Sequence, residues 1–143
     1  RYPSRGPFHY PMHAQLTVAA AIIERSGHVL ICQRHRDDSF PLKWEFPGGK
    51  VEMGETPEAA LARELREELA IDAAIGERVI SYDYAYPGRN PVTLIFCRVA
   101  SFLGDPQNLI FERILWEDRR HLPQYDFLDG DVDLVARLAR GEL

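Results

Sequence analysis

The sequence predicts an α/β protein in which a mixed β-sheet lies between helices. Three observations predict it. Runs rich in β-branched and aromatic residues occur on both sides of the chain's middle. Between them, Ala59 to Leu69 are nearly all strong helix formers. A second amphipathic segment, Asp131 to Arg140, comes near the end. The order is β-β-(short β)-α-β-β-β-α, and no repeat, linker or low-complexity block divides it.

The first run, Leu16 to Glu24, and the second, His28 to Gln33, are separated by Ser26-Gly27, so the pair reads as an antiparallel hairpin. A polar loop follows to Pro41, and Trp44-Glu45-Phe46 reads as a short strand entering a Pro47-Gly48-Gly49 turn. Trp44 suits the core, while Glu45 fits either face. After the helix, Glu77 to Tyr86 and Val92 to Phe102 form a second hairpin around the turn residues Pro87 to Pro91. Tyr82, Tyr84 and Tyr86 share one face by the two-residue period, either as core packing or as a platform for a nucleobase. Leu109 to Trp116 reads as a further strand and Glu117 to Leu122 as a helical turn. In the final helix Val132, Val135, Leu138 and Ala139 recur at helical spacing, and Gly141 is its stop.

A length of 143 residues and 45% hydrophobic content suit one domain with a substantial core, placed at residues 16–143. Residues 1–15, rich in proline, aromatics and arginine at their start, read as a poorly ordered arm, with Met12 a candidate native start. A net charge of −5 argues against duplex nucleic acid as a partner, since that calls for a basic face. Polyphosphates would have to be neutralised locally. Cys32 and Cys97 sit in apolar runs and read as reduced core cysteines. No apolar run is long enough to span a bilayer and no signal-peptide pattern occurs, so the expected location is cytoplasmic.

The chemistry concentrates between Gly49 and Ile71, GKVEMGETPEAALARELREELAI. Thr56 suits the N-cap and Pro57 the first helical position. On a helix, Leu61, Leu65 and Leu69 fall within roughly 80°, a core-facing stripe, while Glu64, Glu67 and Glu68 fill a neighbouring arc of roughly 100°. Such crowding is either a solvated acidic face eased by Arg63, or a site for a hard divalent cation. What precedes the helix favours the cation. The paired glycines let backbone approach a ligand, Glu55 adds a fourth carboxylate, and Lys50 adds a cation beside them. Mg²⁺ shares its ligands between a few carboxylates and substrate phosphates, which suits this set.

The stretch resembles the signature of the Nudix hydrolases: glycine, five residues, glutamate, seven residues, Arg-Glu-aliphatic-x-Glu-Glu, then x-Gly-aliphatic. Gly49, Glu55, Arg63, Glu64, Leu65, Glu67, Glu68 and Ile71 match it. Ala70 stands where the pattern has glycine, which threatens the helix exit more than the chemistry. The likeness runs across about Leu16 to Leu138 and is similar to the MutT-type branch, the nucleoside triphosphate pyrophosphohydrolases. It implies an α/β/α sandwich and hydrolysis of a nucleoside triphosphate to monophosphate and pyrophosphate with Mg²⁺, for which Mn²⁺ can substitute. It also implies that Glu64, Glu67 and Glu68 hold the metal or activate water, with Glu64 the candidate base and Arg63 orienting the cluster. A backbone carbonyl of Gly48 or Gly49 is a further implied ligand, and Glu112 is a candidate for an additional one or for a solvated carboxylate. Lys50, Arg34 and Arg89 match arginine or lysine positions that reach the nucleotide.

Asp131 matches a base-recognising position. An ionised carboxylate only accepts hydrogen bonds, so Asp131 implies a base offering donors, such as the cytosine amino group or a guanine edge. Its other reading is a helix N-cap. Two further functions stay open: hydrolysis of another nucleoside diphosphate derivative such as an ADP-sugar, and a non-catalytic nucleotide- or RNA-binding module. Retention of all four glutamates favours catalysis. A homodimer is compatible with the sequence.

Overall fold

The computed structural model describes residues 15–143. Residues 1–14, and with them nearly all of the expected N-terminal arm, lie outside the described residues. Two sheets share the core. The first takes β5 (Gly48–Lys50), β1 (Leu16–Ile22), β7 (Val92–Leu103) and β6 (Asp72–Tyr84) in that order, with β1 parallel to β7 and the other pairs antiparallel. The second is antiparallel, with β3 (His28–Gln33) pairing to β2 (Glu24–Arg25), β4 (Trp44–Glu45) and β8 (Arg113–Asp118). The first sheet is mixed, as expected.

β1 organises the layers. Its even-numbered residues Val18, Ala20 and Ile22 join a cluster with Leu134, Val135 and Leu138 of α2 (Val132–Ala139). Its odd-numbered residues Ala19 and Ala21 join another with Leu61, Leu65 and Leu69 of α1 (Pro57–Leu69). One helix therefore packs on each side, and the leucine stripe of α1 is wholly buried. Cys32 and Cys97 are free thiols buried on the α1 side, where burial pushes the Cys97 thiol above its ordinary range. No helix among the described residues is long and apolar enough to cross a membrane.

The first expected hairpin needs correction. Ser26 and Gly27 do turn the chain with positive φ (53° and 77°), but only Glu24 and Arg25 pair back onto β3. β1 itself lies in the other sheet between β5 and β7. A strand buried on both faces needs partners on both edges, and a two-residue-turn hairpin would supply one. Gly48 and Gly49, expected in a turn, instead pair with β1 as part of β5. The second hairpin holds but starts at Asp72 and carries register irregularities between Ala74 and Ile80. β8 begins four residues later than its expected start at Leu109, and the turn after it is a 3₁₀ helix at Arg119–Gln124.

The helix signals act as read. The Thr56 hydroxyl accepts a hydrogen bond from the Ala59 N–H (3.1 Å), and Pro57 opens α1. At the exit, Ala70 is left-handed (φ 56°, ψ 34°), and its N–H donates to the Arg66 carbonyl. A non-glycine residue there costs about 1 kcal/mol. Ala70→Gly is therefore expected to raise stability by up to about that amount in denaturant unfolding, with turnover nearly unchanged.

Candidate active site

Thr56 and Pro57 fix where α1 begins, and this brings Glu64, Glu67 and Glu68 onto one cleft of about 310 Å³. The other lining residues are His35, Asp38, Glu45, Ile110 and Phe111. Five carboxylates thus border one small space. Glu67 stands at its exposed edge and Glu68 in its floor, only 4% exposed.

β5 sets the floor. Gly48 N–H donates to Glu68 Oε1 at 3.2 Å, which tethers that carboxylate to the strand. Gly49 lies against Glu64: a Cβ there would sit 2.5 Å from Glu64 Cδ. A Cβ on Gly48 would sit 2.0 Å from the Ala19 carbonyl oxygen in β1. The two glycines serve different neighbours, one the strand behind and the other the acid in front.

Arg63 is the hub. Its Nε and Nη2 donate to both oxygens of Glu55 (2.9 Å each) and its Nη1 to Glu64 Oε1 (2.9 Å). Nη2 also reaches the Lys50 carbonyl (3.2 Å), and Glu67 lies 3.6 Å away. A planar guanidinium suits several carboxylates at once, where a lysine ammonium would not. Arg63 holds the Glu55 carboxyl down to about 2, chiefly through that hydrogen bond, and Glu55 in turn raises Arg63 further above neutrality. Glu55 therefore serves as an anchor for Arg63.

Among the described residues, no three histidine, cysteine, aspartate or glutamate side chains already converge as a metal-ligand set. The donor chemistry nonetheless fits a hard divalent cation. Glu64, Glu67 and Glu68 offer only oxygens to one cleft, and no sulfur ligand lines it. Mg²⁺ needs no complete protein cage, because it retains waters and takes substrate phosphates as ligands.

Other expected contacts fall elsewhere. Glu112 does not line the cleft: Arg36 donates to both its oxygens (3.1 and 2.7 Å) and holds the carboxyl down to about 2. This pair ties the loop after β3 to the segment before β8. Arg34, expected to reach the nucleotide, is 0% exposed. It donates to Glu45 (3.1 Å), to the Ser39 carbonyl (2.7 Å) and to the Ser39 hydroxyl (2.9 Å). It braces the loop carrying His35 and Asp38 and fixes Glu45 at the cleft. Lys50 is partly buried in β5, beside Gly49. Arg89 lies 4.8 Å over the Phe40 ring.

Asp131 is 4% exposed and precedes α2, yet its side chain makes no cap hydrogen bond to the helix. The three tyrosines pack as expected of a core face. Tyr82 stacks on Phe96 (5.8 Å), and Tyr86 meets Tyr84 (4.8 Å) and Phe40 (5.0 Å). The sequence reading missed His35, Asp38, Ile110 and Phe111 at the cleft, and loops of irregular backbone carry them all. For Glu45 a signal existed, since a carboxylate between Trp44 and Phe46 must either find a partner or face a site.

Comparison with known proteins gives a consistent picture. The family model described as NUDIX domain matches residues 13–128. The CTP pyrophosphohydrolase of Escherichia coli (strain K12) is 39% identical over 120 residues, covering 84% of this chain and 88% of that protein. The 8-oxo-dGTP diphosphatase of the same organism is 35% identical over 127 residues, covering 88% and 98%. The solution structure of the E. coli ORF135 protein superimposes with a TM-score of 0.76 at 38% identity, covering 85% of this chain and 86% of that one.

Proposed function

The chain belongs to the Nudix family of hydrolases, and from that premise we propose that it cleaves a nucleoside triphosphate between the α- and β-phosphates. The products are a nucleoside monophosphate and pyrophosphate. One observation carries the reading: Arg63, anchored by Glu55, holds Glu64 beside Gly49 in the cleft that Glu67 and Glu68 also line. The named activities of the two E. coli relatives support it.

Glu64 takes the proton of the attacking water, and the Arg63 hydrogen bond aims its carboxylate. Glu64, Glu67 and Glu68 would hold Mg²⁺, with Mn²⁺ as a substitute. When bound, a divalent cation offsets phosphate charge and makes a coordinated water more acidic. Lys50, at the end of β5 beside the glycines, meets negative charge on the departing pyrophosphate. Arg34 serves through the loop it braces. Asp131 and Arg89 would meet the base, where a carboxylate would accept from an edge with N–H donors, as on cytosine or oxidised guanine.

A panel of CTP, UTP, dGTP, 8-oxo-dGTP and ADP-ribose, assayed with Mg²⁺ and with chelator, tests this. The expected result is Mg²⁺-dependent pyrophosphate release from CTP or 8-oxo-dGTP. Stepwise release of orthophosphate, or turnover of ADP-ribose alone, would overturn it.

A further inference from the structure

Gly130 sits in a single 3₁₀ turn, Asp129–Asp131, and both of its backbone polar groups are held by phenols. Its N–H donates to Tyr86 Oη at 3.1 Å, and its carbonyl accepts from the Tyr82 hydroxyl at 2.5 Å. A Cβ at this position would lie 2.4 Å from Tyr86 Oη, so the approach depends on glycine. Tyr82 ends its side chain here from β6, and Tyr86 from the turn that follows β6. The second hairpin thereby grips the backbone of the residue just before Asp131.

That grip bears on Asp131, which stands at the N-cap position with φ −97° and ψ −9° and makes no cap hydrogen bond to the helix. Its peptide plane, by contrast, is shared with the Gly130 carbonyl that Tyr82 binds. Burial, and then the Asp131 charge, push the Tyr82 phenol well above its ordinary range, which keeps it a donor at any physiological pH. Tyr86 extends the arrangement toward the cleft. Its ring touches Phe40, on the loop that also carries His35 and Asp38, and Arg89 covers the other partner of that contact.

We propose that Tyr82 and Tyr86 are positioning residues for base selection, acting as a two-hydroxyl clamp on Gly130 that fixes the aim of the Asp131 carboxylate. The proposal rests on Asp131 being the group that reads the base. Neither tyrosine need touch the nucleotide. Each removes freedom from the backbone on which the selecting side chain is mounted.

The test measures kcat and KM for CTP, 8-oxo-dGTP and UTP, whose uracil carries an acceptor where cytosine has its amino donor. The selectivity is kcat/KM for the better of the first two over that for UTP. Asp131→Asn is expected to lower it by about tenfold or more. Tyr82→Phe and Tyr86→Phe, which delete only the hydroxyls, are each expected to lower it about three- to tenfold through KM, with kcat within about twofold. On the Asp131→Asn background neither change should alter it further, because the clamp acts through that carboxylate. If the phenylalanine variants lower the melting temperature but leave the selectivity intact while Asp131→Asn lowers it, the clamp is structural and the proposal fails alone. If Asp131→Asn leaves the selectivity unchanged, the assignment of Asp131 fails and the clamp's role fails with it. Should Tyr86→Phe not fold, Tyr82→Phe, whose ring is only partly buried, carries the same comparison.

Discussion

Glu68→Gln is expected to lower kcat by roughly 10²–10³-fold, the range for losing one preorganised electrostatic contact, with little change in melting temperature. Glu68 lies in the cleft floor and accepts the Gly48 N–H through Oε1. Glutamine has the same shape and keeps an acceptor oxygen, so both the packing and that hydrogen bond survive. What changes is the second oxygen, which becomes a neutral amide donor, and with it the negative charge. A stable protein that has lost its turnover assigns the carboxylate to catalysis, through cation binding. Circular-dichroism melting and single-turnover kinetics together make the measurement. Undiminished turnover would remove Glu68 from the machinery.

Gly48→Ala is expected to have the largest effect on stability, a loss of about 3 kcal/mol or more, lowering Tm by roughly 10 °C. The added Cβ would lie 2.0 Å from the Ala19 carbonyl oxygen and 2.7 Å from Ala20 Cα, both backbone atoms of a central strand. The φ of 154° at Gly48 is itself disfavoured for an L-residue. Neither strand can yield without breaking the β1–β5 pairing of Ala20 with Gly48. Gly49→Ala makes the instructive contrast. Its Cβ would strike the Glu64 carboxylate, 2.5 Å away at Cδ, and a side-chain tip can swing aside. Activity should fall with a much smaller shift in Tm. Equal stability losses in the two variants would mean that the glycines share one role.

Much of the catalytic end is legible because its geometry is local. Thr56, Pro57 and the leucine stripe set the phase of α1, and phase alone brings Glu64, Glu67 and Glu68 to one side. The left-handed exit at Ala70 was legible only through the resemblance, which places a glycine there, since alanine itself announces no such turn. Distant pairings are another matter. Arg34 and Glu112 both looked available for substrate or metal, yet each is engaged by partners that a loop brings to it. That loop bends through positive φ at Phe40 (49°) and Leu42 (62°), conformations that residue type does not announce. The fate of β1 was illegible for a similar reason. An alanine-rich apolar run reads the same as half a hairpin or as a central strand, and only its remote neighbours decide.

Leu16 to Ile22 are joined in register to Val92 through Arg98. During synthesis at about 5–20 residues per second, the first strand therefore waits several seconds before its parallel partner leaves the ribosome. Gly48–Lys50 can claim one edge of this apolar strand early, but the other stays open through that interval.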